Sequence, residues 1–426
     1  MTAFLHIDLL AVAGPAFSDA NWETSIGSPG MNGDVISLAV DGFGNLYAGG
    51  DFTTAGGNSA NHVAKWNGST WSALGSGVNS VVYALACDAA GNLYAGGDFT
   101  TAGSAGALYV AKWNGTNWSG LGSGPGGFVS ALALDQAGNL FAGGNFTGAV
   151  AKWNGTNWSG LGSGLADGLT TTGAYALTFD ASGNLYAGGS FEIPGNNVAE
   201  WNGSKWSSPG YGVNAFVYGL ACNTSGDLYA AGYFTSASQG YGRYVAEWNG
   251  STWLPLGLNW TNPVTRLALD ANGNLYAGGA FTTANGVPAN NIAEWNGSVW
   301  SGLGSGLNDQ VGSLLIDSIG NLYVGGHFSM AGTNASAYIA KALLAGPLPN
   351  GLALTQQGPT TNLITYLGTP GQNYALDATT NLNSPIVWTP VTTNMASTNN
   401  ATTAGYVYFT NTAASQQAFY RVRLVP

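Results

Sequence analysis

The chain has 426 residues and a formal net charge of −11; 45% of its residues are hydrophobic and 12% are aromatic. This composition excludes a disordered chain, and 67 glycines among short apolar runs predict an all-β fold with many tight turns. Because the nine Lys and Arg residues are scattered, we expect no nucleic-acid partner. No apolar run reaches the roughly 18 residues of a spanning helix, so we expect no membrane insertion.

Residues 1–20 are moderately apolar, but they lack a basic first segment and they carry Asp8. We interpret this stretch as the remnant of a signal peptide that ends near Ala16 or Ala20. The match to a secretory signal is partial.

Residues 21–346 contain one motif in seven copies. Over residues 88–99 it reads Asp-Ala-Ala-Gly-Asn-Leu-Tyr-Ala-Gly-Gly-Asp-Phe. The copies begin 43–47 residues apart, a period typical of propeller blades. They begin at Asp41, Asp88, Asp135, Asp180, Asn223, Asp270 and Asp317. We therefore predict a seven-bladed β-propeller.

Each copy contains enough strand and turn signals for a four-stranded blade. In the second copy the predicted strands are residues 82–87, 92–99, 109–113 and 118–121. Asp88 and Gly91 suit the turn between the first two strands, since Asp caps a turn and Gly accepts a positive φ. Asn114-Gly115 predicts a two-residue hairpin between the last two.

Paired tryptophans flank the predicted hairpin in six of the copies. A two-residue turn places Trp113 opposite Thr116, with Trp118 diagonal to Trp113 on the same face. We assign these rings to packing within and between blades; a ladder of sugar-stacking rings is the alternative. The pairs are Trp66/Trp71, Trp113/Trp118, Trp153/Trp158, Trp201/Trp206, Trp248/Trp253 and Trp295/Trp300.

The seventh copy lacks its last strand, and the N-terminal segment supplies a replacement. Ala342 stands where the first Trp of the pair belongs, and no second Trp follows. Trp22 precedes Asp41 by nearly the spacing that separates Trp118 from Asp135. We therefore predict that the segment around Trp22 completes the last blade and closes the ring.

Two features of the repeats resemble known propeller families. Gly-Gly ending the second strand, an aromatic residue in the third and Trp opening the fourth resemble kelch and galactose-oxidase-type propellers. The Asp-x-x-Gly-Asn-Leu-Tyr hairpin resembles repeats of large secreted bacterial proteins. The resemblance covers about residues 21–345; it implies a binding platform or, in a minority of the family, an enzyme.

The sequence changes character after the repeats. Residues 347–358 are rich in Pro and Gly and are predicted to form a linker. Residues 359–426 contain short alternating runs that predict a small β-sandwich-like module. Their Thr-Asn-Leu, Trp-Thr-Pro-Val and Phe-Tyr-Arg-Val-Arg segments resemble C-terminal modules of secreted bacterial surface proteins, which implies a secreted or cell-surface location.

We find no catalytic or metal-binding pattern in the sequence. Cys87 and Cys222 occupy the same position in different copies, so we interpret them as small buried hydrophobes rather than a disulfide or nucleophiles. The three histidines lack metal-ligand spacing, and no nucleophile elbow or phosphate loop occurs. We expect no cofactor and no enzymatic activity.

Ligand-binding candidates come from segments that differ between copies. The second-to-third-strand loops and the connections between blades share one face of the predicted disc and vary most. Arg266 replaces a small residue in a first strand and is expected to point into the central channel. The candidates are Tyr211, Tyr233, Tyr241, Arg243, Tyr244, Trp260 and Arg266.

Two variable positions recur along the ring. The residue after Gly-Gly predicts a ring at the channel mouth, formed by Asp51, Asp98, Asn145, Ser190, Tyr233, Ala280 and His327. The residue before the first Trp predicts an uneven charge distribution, with ion pairs at the borders Lys152/Glu200 and Glu294/Lys341. In ring order that residue is Lys65, Lys112, Lys152, Glu200, Glu247, Glu294 and Lys341.

Together these observations predict a non-enzymatic, extracellular or cell-surface recognition scaffold. Its ligand is a glycan or a protein, held by the variable-loop face. An enzyme of the propeller class, oxidase or hydrolase, and a purely structural spacer are the alternatives.

Overall fold

The computed structural model describes residues 17–23, 25–166, 172–237 and 240–344, apart from the side chain of Tyr241, and the backbone of six strands beyond residue 351. Seven antiparallel four-stranded sheets follow one another along the chain. First strands of successive sheets contact each other, and the first strand of the seventh contacts that of the first. The chain therefore forms a closed seven-bladed β-propeller, as predicted.

Each blade begins at the channel and ends at the rim. The first strands are Val35–Val40, Val82–Cys87, Phe128–Leu134, Gly173–Phe179, Val217–Cys222, Val264–Leu269 and Val311–Ile316. The second strands are Leu46–Gly50, Leu93–Gly97, Leu140–Asn145, Leu185–Ser190, Leu228–Gly232, Leu275–Gly279 and Asn321–Gly326. The third strands are Val63–Trp66, Val110–Trp113, Val150–Trp153, Val198–Trp201, Val245–Trp248, Ile292–Trp295 and Ile339–Leu343. The fourth strands are Trp71–Ala73, Trp118–Gly120, Trp158–Gly160, Trp206–Ser207, Trp253–Pro255, Trp300–Gly302 and Trp22–Glu23.

Short helices and two-stranded hairpins accompany the four-stranded sheets. Two 3₁₀ helices, Asp19–Asn21 and Ser25–Gly27, flank the N-terminal strand. In five blades the loop between the second and third strands forms a small hairpin. These hairpins pair Thr54–Ala55 with Asn58–Ser59, Thr101–Ala102 with Ala105–Gly106, Ser236–Ala237 with Gly240–Tyr241, Thr283–Ala284 with Val287–Pro288, and Met330–Ala331 with Asn334–Ala335.

The turn between the first two strands forms as the sequence predicts. The Asp88 carboxylate accepts hydrogen bonds from the backbone N–H groups of Ala90 and Asn92 and from the Asn92 side chain. Gly91 has φ +81°, which an L side chain rarely adopts. In the fifth blade Asn stands first and Asp last in this turn. The Asn223 side chain accepts the backbone N–H of Asp227 and donates to the Asp227 carboxylate.

The predicted two-residue hairpin between third and fourth strands is wrong. Trp113 lies directly opposite Trp118, so the loop contains four residues. The Asn114 side chain accepts hydrogen bonds from the N–H groups of Thr116 and Asn117. This capped turn forms in place of the tight Asn-Gly turn. The two rings pack 5.4 Å apart at an interplanar angle of 50°.

The second tryptophan of each pair also joins neighbouring blades. Its indole N–H donates a hydrogen bond to a backbone carbonyl of the preceding blade or its connection; the Trp118 bond to Leu74 is 2.8 Å long. The same bond occurs at all seven fourth strands, from Trp22, Trp71, Trp118, Trp158, Trp206, Trp253 and Trp300. These rings therefore serve blade packing, as assigned from the sequence.

The N-terminal segment closes the ring as predicted. Trp22 pairs with Ala342 and Glu23 pairs with Lys341, across the last blade. Trp22 is 4% exposed, and the amide of Asn21 donates to the carbonyl of Leu343. The seventh sheet thus gains its outer strand from the other end of the propeller sequence.

The six C-terminal strands form two three-stranded antiparallel sheets. Leu352–Gln356, Asn362–Gly368 and Gly405–Asn411 form one sheet, and Asn373–Thr379, Thr389–Met395 and Phe419–Val425 form the other. The first of these strands lies within the segment predicted to be a linker. The predicted sandwich packing and signal-peptide remnant fall largely outside the described residues and stay predictions.

Candidate ligand-binding site

The variable loops surround one end of the central channel, which we call the channel mouth. A first strand starts there, after the connection from the previous blade, and a second strand ends there, before its loop. Bridges such as Val78 to Ala102 show that the connection and the loop lie side by side. The channel mouth is therefore built from the segments that differ most between blades.

A β-bulge interrupts every first strand near the channel mouth. In the fifth blade the pairing register shifts between Val217 and Gly219, so Tyr218 lacks a partner on the second strand. The same shift occurs in the other six blades. A bulge redirects its extra residue. The bulged residues are Ile36, Tyr83, Ser130, Tyr175, Tyr218, Thr265 and Gly312.

Four aromatic side chains of blades four and five form a connected group, which we call the aromatic wall: Tyr175, Phe216, Tyr218 and Tyr233. Tyr218 stacks on Tyr175, with ring centroids 5.1 Å apart and planes 9° apart. It also contacts Phe216 and Tyr233 edge to face. Phe216 is 46% exposed and Tyr233 is 53% exposed, so the wall offers apolar surface to a ligand.

Four carboxylates occupy the other side of the channel mouth, on blades seven, one and two. This acidic arc consists of Asp34, Asp51, Asp98 and Asp309, and His327 pairs with Asp34 within it. The hydrogen bond that His327 donates to the Asp34 carboxylate, together with the charges of Asp34 and of nearby Asp309 and Asp51, raises the pKa of His327. Since seven blades close the ring, blades one and two lie across the channel from blades four and five.

Asp98 contains a buried acceptor that the described residues leave unused. Its Oδ2 atom accepts a weak hydrogen bond of 3.4 Å from the Tyr83 hydroxyl. Its Oδ1 atom is buried and has no hydrogen-bond partner among the described residues. A buried carboxylate oxygen without a donor is costly, since it bonds neither water nor the described residues.

Arg266 bridges three blades on the channel side of the sheet. Its Nε donates to the carbonyl of Gly312, and its Nη1 donates to the carbonyls of Thr265 and Tyr218. These three carbonyls belong to the bulged residues of successive blades. No carboxylate lies within 4 Å of its guanidinium in the described part of the chain, and burial lowers its pKa.

Three other predicted site residues lie on the loop face. Tyr211 is 69% exposed in the connection between blades four and five, and its carbonyl accepts a bond from Asn196. The Arg243 guanidinium lies 5.6 Å from the ring centroid of Tyr244. The Tyr244 carbonyl accepts a hydrogen bond from the N–H of Gly232, which precedes Tyr233. Arg243 and Tyr244 therefore adjoin the aromatic wall. The side chain of Tyr241 lies outside the described residues.

Trp260 does not belong to the exposed surface. It is 3% exposed and packs edge to face on Phe281 and Trp300. Its position corresponds to buried Val78 in the second blade, so the connection turns this side chain inward beneath the loop. The prediction that Trp260 joins a surface cluster is therefore wrong.

The described residues also bear on cysteine reactivity, metal binding and membrane spanning. Both cysteines are free, and burial raises the pKa of each thiol to about 12, which disfavours the nucleophilic thiolate. No cluster of three or more His, Cys, Asp or Glu side chains in the described ranges suits a metal ion. None of the helices in these ranges has the length and apolar character to cross a membrane.

Comparisons with known proteins identify the fold. No family model matches the chain, and no curated protein matches it. Among solved structures, it resembles the extracellular domain of the one-component system BT4673 from B. thetaiotaomicron, with 14% identity and a TM-score of 0.51. That match covers 86% of this chain but 47% of the other, so this chain corresponds to less than half of it.

Two further structures match nearly over their full length. The WD40 propeller domain of Doa1 is 16% identical, with a TM-score of 0.51, over 75% of this chain and 95% of that one. YCF48 bound to D1 peptide is 13% identical, with a TM-score of 0.51, over 77% and 98%. These similarities show the propeller fold alone. The kelch and galactose-oxidase resemblance stays a prediction.

Sequence reasoning missed most of the aromatic wall and the acidic arc. Tyr175 and Tyr218 lie at the bulged position of a first strand, which reads as ordinary strand sequence. Only comparison of that position across copies shows a change from Ile36 or Gly312 to tyrosine. The sequence does identify the variable residue that follows the Gly-Gly pair in each copy. That position supplies Asp51, Asp98, Tyr233 and His327 to the channel mouth.

Proposed function

We propose that this chain is a non-enzymatic recognition scaffold at or outside the cell surface, which binds a glycan or a protein at the channel mouth. The aromatic wall carries the proposal. Its two outer rings, Phe216 and Tyr233, expose about half of their surface beside a channel, and such rings are frequent anchors of binding energy. Tyr218 lies at the centre of the wall and contacts the other three rings.

The similar structures support a binding role and an extracellular location. One of them is described as an extracellular domain, and another as bound to a peptide. Propellers present their variable loops on a rigid frame, an arrangement suited to recognition. We extend both properties to this chain as part of the proposal.

Array binding tests the proposal. The purified full chain is applied to a glycan array and to an array of random octapeptides, together with its Tyr233→Ala variant. Blade six carries Ala280 at this position, so the fold accommodates the change. We expect binding to one array and at least about a tenfold loss in the variant, as for a truncated anchor.

Tyr211→Ala is the matched control, because Tyr211 is 69% exposed, against 53% for Tyr233, but lies outside the aromatic wall. We expect this variant to bind like the parent chain. Absence of binding on both arrays, or binding that Tyr233→Ala leaves unchanged, would refute the channel mouth as the site.

A further inference from the structure

The channel mouth has two chemically different sides. The aromatic wall lies on blades four and five, with Arg243 and Arg266 on blades five and six. The acidic arc lies on blades seven, one and two. A ligand that contacts both sides meets apolar rings at one end and carboxylates at the other.

We propose that the channel mouth binds a peptide segment in which a basic side chain stands close to an apolar or aromatic one. This inference rests on the proposed function and specifies its ligand. The apolar group packs against Phe216 and Tyr233, and the basic group reaches the acidic arc. The whole chain carries a charge of −11, which favours encounter with a basic partner.

The acidic arc is short of positive charge. Within the described residues, His327 is the basic side chain that pairs with it, through Asp34. Asp51 and Asp309 are exposed, and Asp51 accepts the backbone N–H of Asp34. A guanidinium or ammonium group supplies donors and charge together, and charge-assisted bonds of this kind are the stronger ones.

The two sides also favour a peptide over a neutral glycan. A sugar would stack on Tyr233, but it would desolvate the acidic carboxylates without compensating their charge. A basic peptide gains at both sides. It also gains an orientation, because Arg243 and Arg266, on blades five and six, repel its basic group from that side of the channel.

The experiment uses the octapeptide and glycan arrays with two single variants of the full chain. Tyr233→Ala removes an outer ring, and Asp51→Asn removes one charge and keeps the oxygen that accepts the Asp34 N–H. Asn145 occupies the Asp51 position in blade three. Glu192→Gln is the charge control, since Glu192 is exposed on a loop of blade four.

We expect bound octapeptides to be enriched in Arg or Lys beside an aromatic or aliphatic residue. Their affinity should fall about tenfold in Tyr233→Ala and about threefold or more in Asp51→Asn, and remain unchanged in Glu192→Gln. It should also weaken as salt is raised from 0.05 to 0.5 M, as exposed ion pairs require.

The outcomes separate this inference from the proposed function. Binding of neutral glycans or of peptides without basic residues, lost in Tyr233→Ala but unchanged in Asp51→Asn, overturns the inference and leaves the proposed function standing. Binding that neither variant alters overturns both. A basic consensus with loss in both variants supports both.

Discussion

Arg266 shows how one substitution in a repeated position changes the channel. The other six blades carry Ser, Ala or Gly there, which leaves room beside the bulge. Glycine at position 219 leaves room for the strand of Arg266, because a Cβ there would lie 3.0 Å from the Thr265 carbonyl and 3.3 Å from the Arg266 Cα atom. The bonds of the guanidinium to carbonyls on both neighbouring blades tie three blades together, and they offset the cost of removing its charge from water.

We predict that Arg266→Ser lowers the free energy of unfolding by about 1–3 kcal/mol and that Arg266→Lys lowers it further. Serine removes the charge together with its bonds, whereas lysine keeps the charge but lacks the planar donors that reach Tyr218 and Gly312. Urea unfolding of the three proteins measures both effects. Arg243→Ser, at an exposed position, is the control and should change little. A lysine variant as stable as the parent would contradict the assignment.

At the scale of the element, the fourth strand is the joint between blades. Trp118 packs on Trp113 within its own sheet and bonds the Leu74 carbonyl of the preceding one. The ring is 8% exposed, so water cannot replace the bond if the donor is lost. Packing and hydrogen bonding therefore act through the same side chain.

We predict that Trp118→Phe destabilises the propeller by about 1–3 kcal/mol, the cost of leaving a buried carbonyl without its donor. Phenylalanine keeps most of the apolar contact. Trp158→Phe is the matched control: Trp158 makes the same bond to Leu121 but is only half-buried, so water replaces the donor there. Thermal and urea unfolding should show the smaller loss at residue 158. Equal losses would show that burial of the carbonyl is not the cause.

The Lys and Glu residues of the predicted uneven charge distribution all lie at the same register position of their third strands. Each Lys or Glu lies opposite the aromatic residue of the second strand, as Lys112 lies opposite Tyr94. The predicted border pairs are wrong: Lys152 pairs with Asp135, and Lys341 pairs with Glu23. Turn carboxylates within the blade and the N-terminal strand are closer than the next blade.

Where glutamate replaces lysine, two carboxylates share a partly buried space. Burial, followed by the charge of Asp270, raises the pKa of Glu294, against the lowering effect of the Tyr276 hydroxyl. The folded chain therefore binds the Glu294 proton more tightly than the unfolded chain. The contribution of Glu294 to the free energy of unfolding is therefore greatest below its ordinary pKa of 4.5. It falls as the pH rises through the raised pKa of the folded chain.

We therefore predict that Glu294→Gln is more stable than the parent at pH 7 and that the difference shrinks as pH falls towards 4.5. Glutamine keeps the oxygen that accepts the Tyr276 hydroxyl but carries no charge. Chemical unfolding at several pH values between 4.5 and 8 measures the difference. Glu192→Gln, which removes an exposed carboxylate, is the control. A difference that grows as pH falls would contradict the raised pKa.

For the whole molecule, the sequence predicted what depends on local turns and repetition. Asp88 and Gly91 specify their turn through contacts within five residues, and the period of the copies specifies the number of blades. The missing outer strand predicted Trp22 as its replacement. These features need no knowledge of distant packing.

The sequence did not predict features that depend on packing between segments. The cap made by Asn114 lengthens a hairpin that the Asn-Gly pair alone favours. Trp260 turns inward because a loop from the same blade covers it. The bulges at Tyr175 and Tyr218 near the channel mouth arise where first strands converge, and no residue of the strand marks them.

Ring closure joins two strands that lie far apart in the sequence. In blade two a four-residue loop tethers the fourth strand to the third, whereas Trp22–Glu23 reaches its partner strand from more than 300 residues away. Asp19 adds two bonds to Ser305, and Trp22 bonds the Leu303 carbonyl. These few contacts must offset the entropy of closing a very long loop.

We predict that Trp22→Ala and Trp118→Ala each cost about 3–5 kcal/mol in the free energy of unfolding, because each removes a buried ring. Their local effects should differ. The loop holds the fourth strand of blade two in place without Trp118, but the N-terminal strand has no such tether. Hydrogen exchange should therefore speed up across Ile339–Leu343 in Trp22→Ala by far more than across Val110–Trp113 in Trp118→Ala. Equal protection of the two third strands would mean that the closing strand is held by something other than its tryptophan.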